Sequence, residues 1–391
     1  MKVEKVIIFT DGSFPNGMAV TNRTISYGKG FNHNGVTAEV ICLRREETKD
    51  NIKNTEVKGV FEGIKFKYLT SSTIKSRYFI LRRIQNFNTY IYLFLFSLKK
   101  LNNSTISIYY SDHTVPAIIL WLVIKIKGGK LLKEESEHPS VYFEGKNLVA
   151  KFLLKNVHYK LFDAYLLMTK NLISYFNSVS KTPVIHVPMT VDLNRFDPNL
   201  KNHHKTINKI LYTGQLDDYK DGVDILLKAF ASIVKNHRDY HLYLYGSANS
   251  DQKLQEYHKM VKRLGIDEFV HFEGLVNREV ITEKVLNAKI LVLPRPDSIQ
   301  AQNGFPTKLG EYLASGNPTL VTSVGEIPNY LTDRENTFMA TPGDVKSLEN
   351  KLFEIIEDYE FAKEVGLKGR KTAEIHFNNI HQTKSIINYF E

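Results

Sequence analysis

The sequence predicts an α/β protein built from two Rossmann-like, doubly wound parallel-sheet domains. Three observations predict it. Short apolar, β-branched runs alternate with longer amphipathic ones, as expected for strands buried on both faces of a parallel sheet. The alternation occurs twice, on either side of a polar stretch at residues 197–208. The chain has 391 residues, more than one ordinary core holds.

The elements follow in order. In the first half, strands are expected at residues 5–9, 38–43, 107–110, 130–133, 165–168 and 184–187. In the second half they are expected at 209–213, 242–245, 270–272, 289–293 and 319–322. Helical segments lie between them, for example 224–235 and 252–264. The apolar run 115–124 is too short to span a bilayer and reads as a buried helix. The expected division is a first domain at 1–197 and a second at 205–374.

Bulk properties exclude several classes. Hydrophobic residues make up 42% of the chain, which argues against general disorder. The single cysteine, Cys42, cannot build a disulfide framework and suits a reducing, cytoplasmic location. The opening MKVEKVIIFTDG has too short an apolar stretch for a signal peptide and reads as a first strand. No Asp-x-Asp, His-Glu-x-x-His, Gly-x-Ser-x-Gly or Walker lysine motif occurs. Gly28-Lys29-Gly30 continues to His33 and makes no dinucleotide fingerprint. No metal ligand set is expected.

Formal net charge is +10 and unevenly placed. Between Lys65 and Lys133 there are twelve Lys or Arg and one acid, Asp112, interleaved with aromatic residues. Two readings stay open: a solvated basic face over a core helix, or association with an anionic membrane surface. Nucleic acid is not expected as a partner, because no nucleic-acid-binding motif accompanies the charge.

The densest information lies at residues 293–318, LPRPDSIQAQNGFPTKLGEYLASGNP. An apolar strand ends in a polar loop that runs into a short helix near Pro306–Thr307. Such a junction offers backbone N–H groups and a positive dipole end to an anion at the carboxyl edge of a sheet. Arg295 and Lys308 bracket it with charge, and Glu311 lies one turn on, placed to accept hydrogen bonds from a ribose diol.

This run resembles the donor-binding signature of family 4 retaining glycosyltransferases (glycosyl transferases group 1), which have the GT-B fold. In that family a Glu-x7-Glu pair frames the motif; here the second Glu is Glu311, and Asn303 holds the first position. Residues 209–230, KILYTGQLDDYKDGVDILLKAF, resemble the opening of the family's second domain, with Gly214, Lys220 and Gly222 at its glycine and lysine positions. Gln215 stands where many members carry a basic residue. The recognisable region covers most of 184–352. In the first half, DGSFPNGMAVTNR resembles the family's N-terminal loop, with Gly17 as its glycine and Asn22 and Arg23 placed to reach the cleft. EESEHP, with Glu135, Glu137 and His138, follows a strand and is expected to face the same cleft.

The resemblance implies two domains facing across a cleft, with the final helix, 375–391, crossing back onto the first. It implies a nucleotide-diphosphate sugar donor of UDP or GDP type, no separate cofactor, and a glycan or lipid-linked acceptor. Donor contacts are implied for Gly17, Gly214, Asn303, Gly304, Thr307, Lys308, Leu309 and Glu311. Catalytic roles fall to Lys220, Arg295, Glu137 and His138. The expected activity is retaining, metal-independent glycosyl transfer in bacterial surface-polysaccharide assembly, on the inner face of the cell membrane. The alternatives are a non-catalytic nucleotide-sugar or glycan-binding protein of the same fold, or a nucleotide-sugar epimerase.

Overall fold

The computed structural model describes residues 1–49, 52–139, 148–201 and 208–391. The chain divides into two compact units, Met1–Thr190 with Asn379–Glu391, and Val191–Asn378.

The first unit holds an eight-stranded sheet: β1 (Lys5–Thr10), β2 (Thr37–Cys42), β3 (Lys58–Phe61), β4 (Ile64–Tyr68), β5 (Thr105–Tyr110), β6 (Lys130–Glu135), β7 (Ala164–Leu167) and β8 (Val184–His186). Their spatial order is β3-β4-β2-β1-β5-β6-β7-β8. All neighbours are parallel except the β3–β4 hairpin. Val6, Ile7, Ile8 and Phe9 are fully buried, so β1 is covered on both faces, as a central parallel strand requires.

The second unit holds six strands: β9 (Asn208–Thr213), β10 (Tyr240–Tyr245), β11 (Val270–Gly274), β12 (Ile290–Leu293), β13 (Thr319–Thr322) and β14 (Phe338–Ala340). Their order is β11-β10-β9-β12-β13-β14, all parallel. Each unit is therefore doubly wound, as expected. Every strand read from the sequence is present. Three were not anticipated: β3, β4 and β14.

The division lies nearer the N-terminus than residues 197–205. Val191 donates its N–H to Phe377 O, and Arg195 bonds Glu311, so this stretch is tied to the second unit. Residues 202–207 of the expected linker lie outside the described residues. At the other end, helix Tyr359–His376 runs through residue 375 unbroken, which moves the return to Asn379. The last helix, Asn379–Phe390, then packs on helix Ala19–His33. Asn379 donates to Ser26 O at 2.9 Å, and Asn34 donates to Ile380 O at 2.9 Å. A Cβ on Gly30 would lie 2.5 Å from Asn379 O, so this helix pair needs a glycine at its crossing.

The run at 115–124 forms helix Thr114–Lys127, which is not buried all round. Ala117, Leu120 and Val123 face the core, while Val115, Leu122 and Ile126 are exposed. A helix apolar on every side carries more apolar arc than one packed face can cover.

Candidate functional site

The second sheet reverses its winding between β9 and β12. In open α/β sheets such a switch point leaves a crevice at the carboxyl ends of the strands, where ligands bind. Gly214 follows β9, and Pro294 and Arg295 follow β12. Gly214 has φ +133°, a conformation L side chains rarely adopt. A Cβ there would lie 2.2 Å from Lys308 Nζ, so the ammonium sits directly over the glycine.

Lys308 Nζ donates to Tyr212 Oη at 3.0 Å and to Asp221 Oδ2 at 3.1 Å. The Asp221 side chain is 4% exposed, and Arg295 Nε lies 4.0 Å from its other oxygen. Gly222 has φ +70°, and a Cβ on it would meet Pro294 O at 2.1 Å. The loop between these glycines thus closes onto the end of β12, bringing Asp221 under Lys308.

The buried charges act on one another. Burial pushes the Asp221 carboxyl up, but Lys308 and Arg295 outweigh it and hold it below the usual carboxylate range. Burial, only partly offset by Asp221 and reinforced by Arg295 and Lys220, holds Lys308 below its ordinary value. Lys308 and Arg295 act on the Asp221 carboxylate, and Lys220 adds its positive charge near Lys308. Helix Thr307–Ala314 begins beside them, and its opening N–H groups lack intrahelical acceptors. The arrangement suits a multiply charged anion such as a diphosphate.

Arg295 is buried, and its guanidinium donates to Lys220 O and Gly304 O, each at 3.3 Å, with longer bonds to Ala301 O and Gln300 O. It therefore ties the loop together and acts on the crevice mainly through its charge. Asn303 Nδ2 donates to Ile299 O within its own short helix, and Gly304 ends that helix. Thr307 is half-buried at the start of the next helix, while Leu309 is fully buried and its N–H donates to Pro306 O at 3.0 Å. Lys220 donates its N–H to Asp217 Oδ1 at 2.6 Å, which fixes its backbone. Glu311 Oε1 accepts from Arg195 Nη1 at 3.2 Å, and Arg195 Nη2 donates to Thr282 Oγ1 and Arg278 O.

In the first unit the reading is corrected at Arg23. It does not reach outward: it is 1% exposed, with Nε bonded to Glu134 Oε1 at 2.6 Å and the guanidinium donating to Pro188 O and Val187 O. A long arginine entering a helix beside a buried carboxylate satisfies both by pairing. Tyr27 donates to the other Glu134 oxygen at 2.7 Å. Glu135 is likewise buried on β6, beside Lys133 Nζ at 3.2 Å, and Lys133 also pairs with Asp112 at 3.1 Å. Burial, partly offset by Lys133, pushes the Glu135 carboxyl up to about 8. Glu137 and His138 follow the strand and are half-buried; the His138 ring meets Tyr175 edge-on at 4.8 Å, and burial lowers its pKa. Gly17 packs on Thr21, whose hydroxyl donates to Ser13 O, so a side chain there would displace the loop.

Sequence reading missed a polar group at the first sheet's own switch point, between β1 and β5. Asp11 follows β1, and Ser111 and His113 follow β5. Ser111 donates to Asp11 Oδ2, His113 Nε2 lies 3.6 Å from the same oxygen, and Arg44 donates to His113 Nε2 at 2.7 Å. Burial pushes the Asp11 carboxyl up, against the pull of His113. Asp11, Arg44 and His113 line a small recess with Asn86, Thr89 and Tyr90. Polar residues directly after two β-branched strands were the available signal. Asp221 and Arg195 were missed too; Asp221 stood in plain view beside Lys220.

Residues 207–358 match the family described as glycosyl transferases group 1, which bears out the resemblance at the level of that group. An uncharacterized glycosyltransferase of Methanocaldococcus jannaschii is 22% identical over 182 residues, covering 46% of this chain and 44% of that protein. The match thus spans less than half the length of this relative. Among solved structures, sucrose-phosphate synthase from Thermosynechococcus elongatus superposes with a TM-score of 0.74 at 16% identity, covering 99% of this chain and 98% of the other. Anabaena HepE in complex with UDP-glucose gives 0.70 at 15% identity, covering 98% of each chain. The fold is GT-B.

Proposed function

We propose that this chain is a retaining glycosyltransferase that moves a sugar from a nucleotide-diphosphate sugar to a glycan or lipid-linked acceptor in bacterial surface-polysaccharide biosynthesis. It works without a metal and peripherally, at the inner face of the cell membrane. One observation carries the reading: Lys308 lies over Gly214 at the β9/β12 switch point, with Arg295 and Asp221 beside it, inside the residues that match group 1 glycosyltransferases. A neighbour of the same fold, Anabaena HepE, is a complex with UDP-glucose.

The difficult step is departure of a doubly charged leaving group from the anomeric carbon. Lys308, Lys220 and the opening amides of helix Thr307–Ala314 neutralise charge growing on the β-phosphate, and Arg295 adds its field from behind the loop. Fixed donors aimed at developing charge are usually the largest catalytic contribution. The acceptor hydroxyl attacks from the face the phosphate leaves, and the phosphate takes its proton, so no side-chain nucleophile is assigned. Glu311 holds the ribose. Glu137, His138 and the Asp11–His113 recess belong to acceptor and sugar recognition.

A thermal-shift screen of UDP and GDP sugars tests the donor assignment. Ligand at about 100 times its dissociation constant stabilises the protein by about 2.7 kcal/mol. Absence of a shift with every nucleotide sugar, together with absence of transfer or donor hydrolysis, would overturn it.

A further inference from the structure

Helix Phe79–Lys100 turns an apolar stripe to solvent. The side it turns to the protein carries Thr89, Leu93 and Ser97, with half-buried Gln85, Asn86, Tyr90, Phe96 and Leu98, the Phe96 ring meeting Phe9 edge-on at 6.4 Å. The side it turns to solvent carries Ile80, Ile84, Phe87, Ile91 and Leu95. These fall at i, i+4, i+7, i+11 and i+15, a single stripe along one face. Ile80 is 72% exposed and Phe87 64%. Tyr92 and Phe94, which a core helix would bury, are 57% and 40% exposed. The reading of this segment as a core helix is thereby set aside.

The neighbouring helix, Thr114–Lys127, adds exposed Leu122 and Ile126. Apolar surface of this extent on a soluble face marks an interaction site. No described helix is long and apolar enough to cross a membrane. A helix of 22 residues is about 33 Å long, long enough to lie along a surface.

Charge selects the occupant. The helix contains no acid. Arg77, Arg82 and Arg83 stand at its start, and Lys99 and Lys100 at its end, all exposed. Lys125 and Lys127 are exposed on the neighbouring helix. A second copy of this chain would bring cations against cations. An anionic bilayer satisfies both features, taking the rings and aliphatic chains among its acyl groups and the cations among its headgroups.

We propose that helix Phe79–Lys100 is the element that docks this protein on an anionic lipid bilayer, with the Ile80–Leu95 stripe inserted and the flanking arginines and lysines at the headgroups. The proposal rests on the peripheral-membrane part of the functional reading and names the surface that performs it. The inward side of the same helix, through Asn86, Thr89 and Tyr90, lines the recess of Asp11, Arg44 and His113. Docking therefore holds that recess close to the membrane plane, where the headgroup of a lipid-linked acceptor lies.

The test is flotation of the full chain with phosphatidylcholine vesicles, with and without about 30 mol% phosphatidylglycerol, at about 0.05 M and about 1 M salt. Two variants accompany it: Ile84→Ser with Phe87→Ser and Ile91→Ser, and Arg82→Ser with Arg83→Ser, Lys99→Ser and Lys100→Ser. All seven side chains are exposed, so both variants keep the wild-type melting temperature and nucleotide-induced thermal shift. The wild type floats with anionic vesicles, binds at least tenfold more weakly without phosphatidylglycerol or at high salt, and each variant loses at least tenfold. A wild type that stays in the dense fraction with anionic vesicles overturns the proposal. So do variants that float as well as the wild type, or a wild-type dimer that the apolar variant converts to monomer. Vesicle binding without any nucleotide-sugar shift would instead leave this surface standing and remove the donor reading.

Discussion

Lys308 Nζ occupies the space that a side chain at Gly214 would fill: a Cβ there would lie 2.2 Å from it. Two motifs far apart in sequence are thus one site, and the glycine exists to let the lysine in. Gly214→Ala should push the ammonium off Asp221 and Tyr212 and strain a backbone at φ +133°, costing about 1–3 kcal/mol of stability. Nucleotide affinity should fall at least tenfold. A variant that melts lower yet binds UDP sugars as tightly as wild type would show that Lys308 does not contact the donor.

Lys220 is held by its backbone, with its N–H on Asp217 and its carbonyl on Arg295. Truncating its side chain keeps both of these backbone bonds. Lys220→Ala should lower kcat about 100-fold, near 3 kcal/mol, with little change in melting temperature. Retained kcat would exclude it from charge neutralisation on the leaving phosphate.

Glu311 has a protein partner in Arg195, which sharpens its test. Glu311→Ala should weaken nucleotide binding about tenfold, near 1.4 kcal/mol, and leave the fold intact. Arg195→Ala should leave affinity close to wild type. Equal losses in both variants, read by calorimetry, would make Glu311 a support for its helix and not a ribose ligand.

Charge neutralisation by Lys220, Lys308 and helix amides, in a sequence with no Asp-x-Asp, predicts that transfer survives EDTA. Complete loss restored by magnesium or manganese would contradict the mechanism.

Much of this was legible in the sequence, for identifiable reasons. Strands such as β1 and β12 are continuous β-branched runs, and burial on both faces writes itself into such runs. Hairpin β3–β4 was missed although Ile64, Phe66 and Tyr68 alternate with Lys65 and Lys67, the period of a strand buried on one face, because only continuous apolar runs were read as strands. β14 has three residues, too few for any period. At the candidate site the residue types were readable, but the placement of Lys308 over Gly214 is a tertiary fact. The same holds for Arg23, whose partner Glu134 lies on a distant strand. Helix Phe79–Lys100 shows a different limit: an apolar stripe has the same period whether it faces the core or solvent, and only packing decides.

The buried group on β6 gives the last prediction. Lys133 sits between two carboxylates, Asp112 at 3.1 Å and Glu135 at 3.2 Å. Burial outweighs the pull of Lys133, and Asp112 adds to it, so Glu135 holds its proton with a pKa pushed up to about 8 from an ordinary 4.5. The folded state therefore binds this proton more tightly than the unfolded chain. For such a group the stabilisation is fully present below 4.5 and is lost as pH rises toward 8. Between those values the melting temperature of the wild type should fall with rising pH relative to Glu135→Gln, which carries no titrating proton. The readout is the slope, so a uniformly lower melting temperature in the variant does not obscure it. Parallel curves for the two proteins across this range would mean that Glu135 is ionised throughout, with Lys133 fully compensating it.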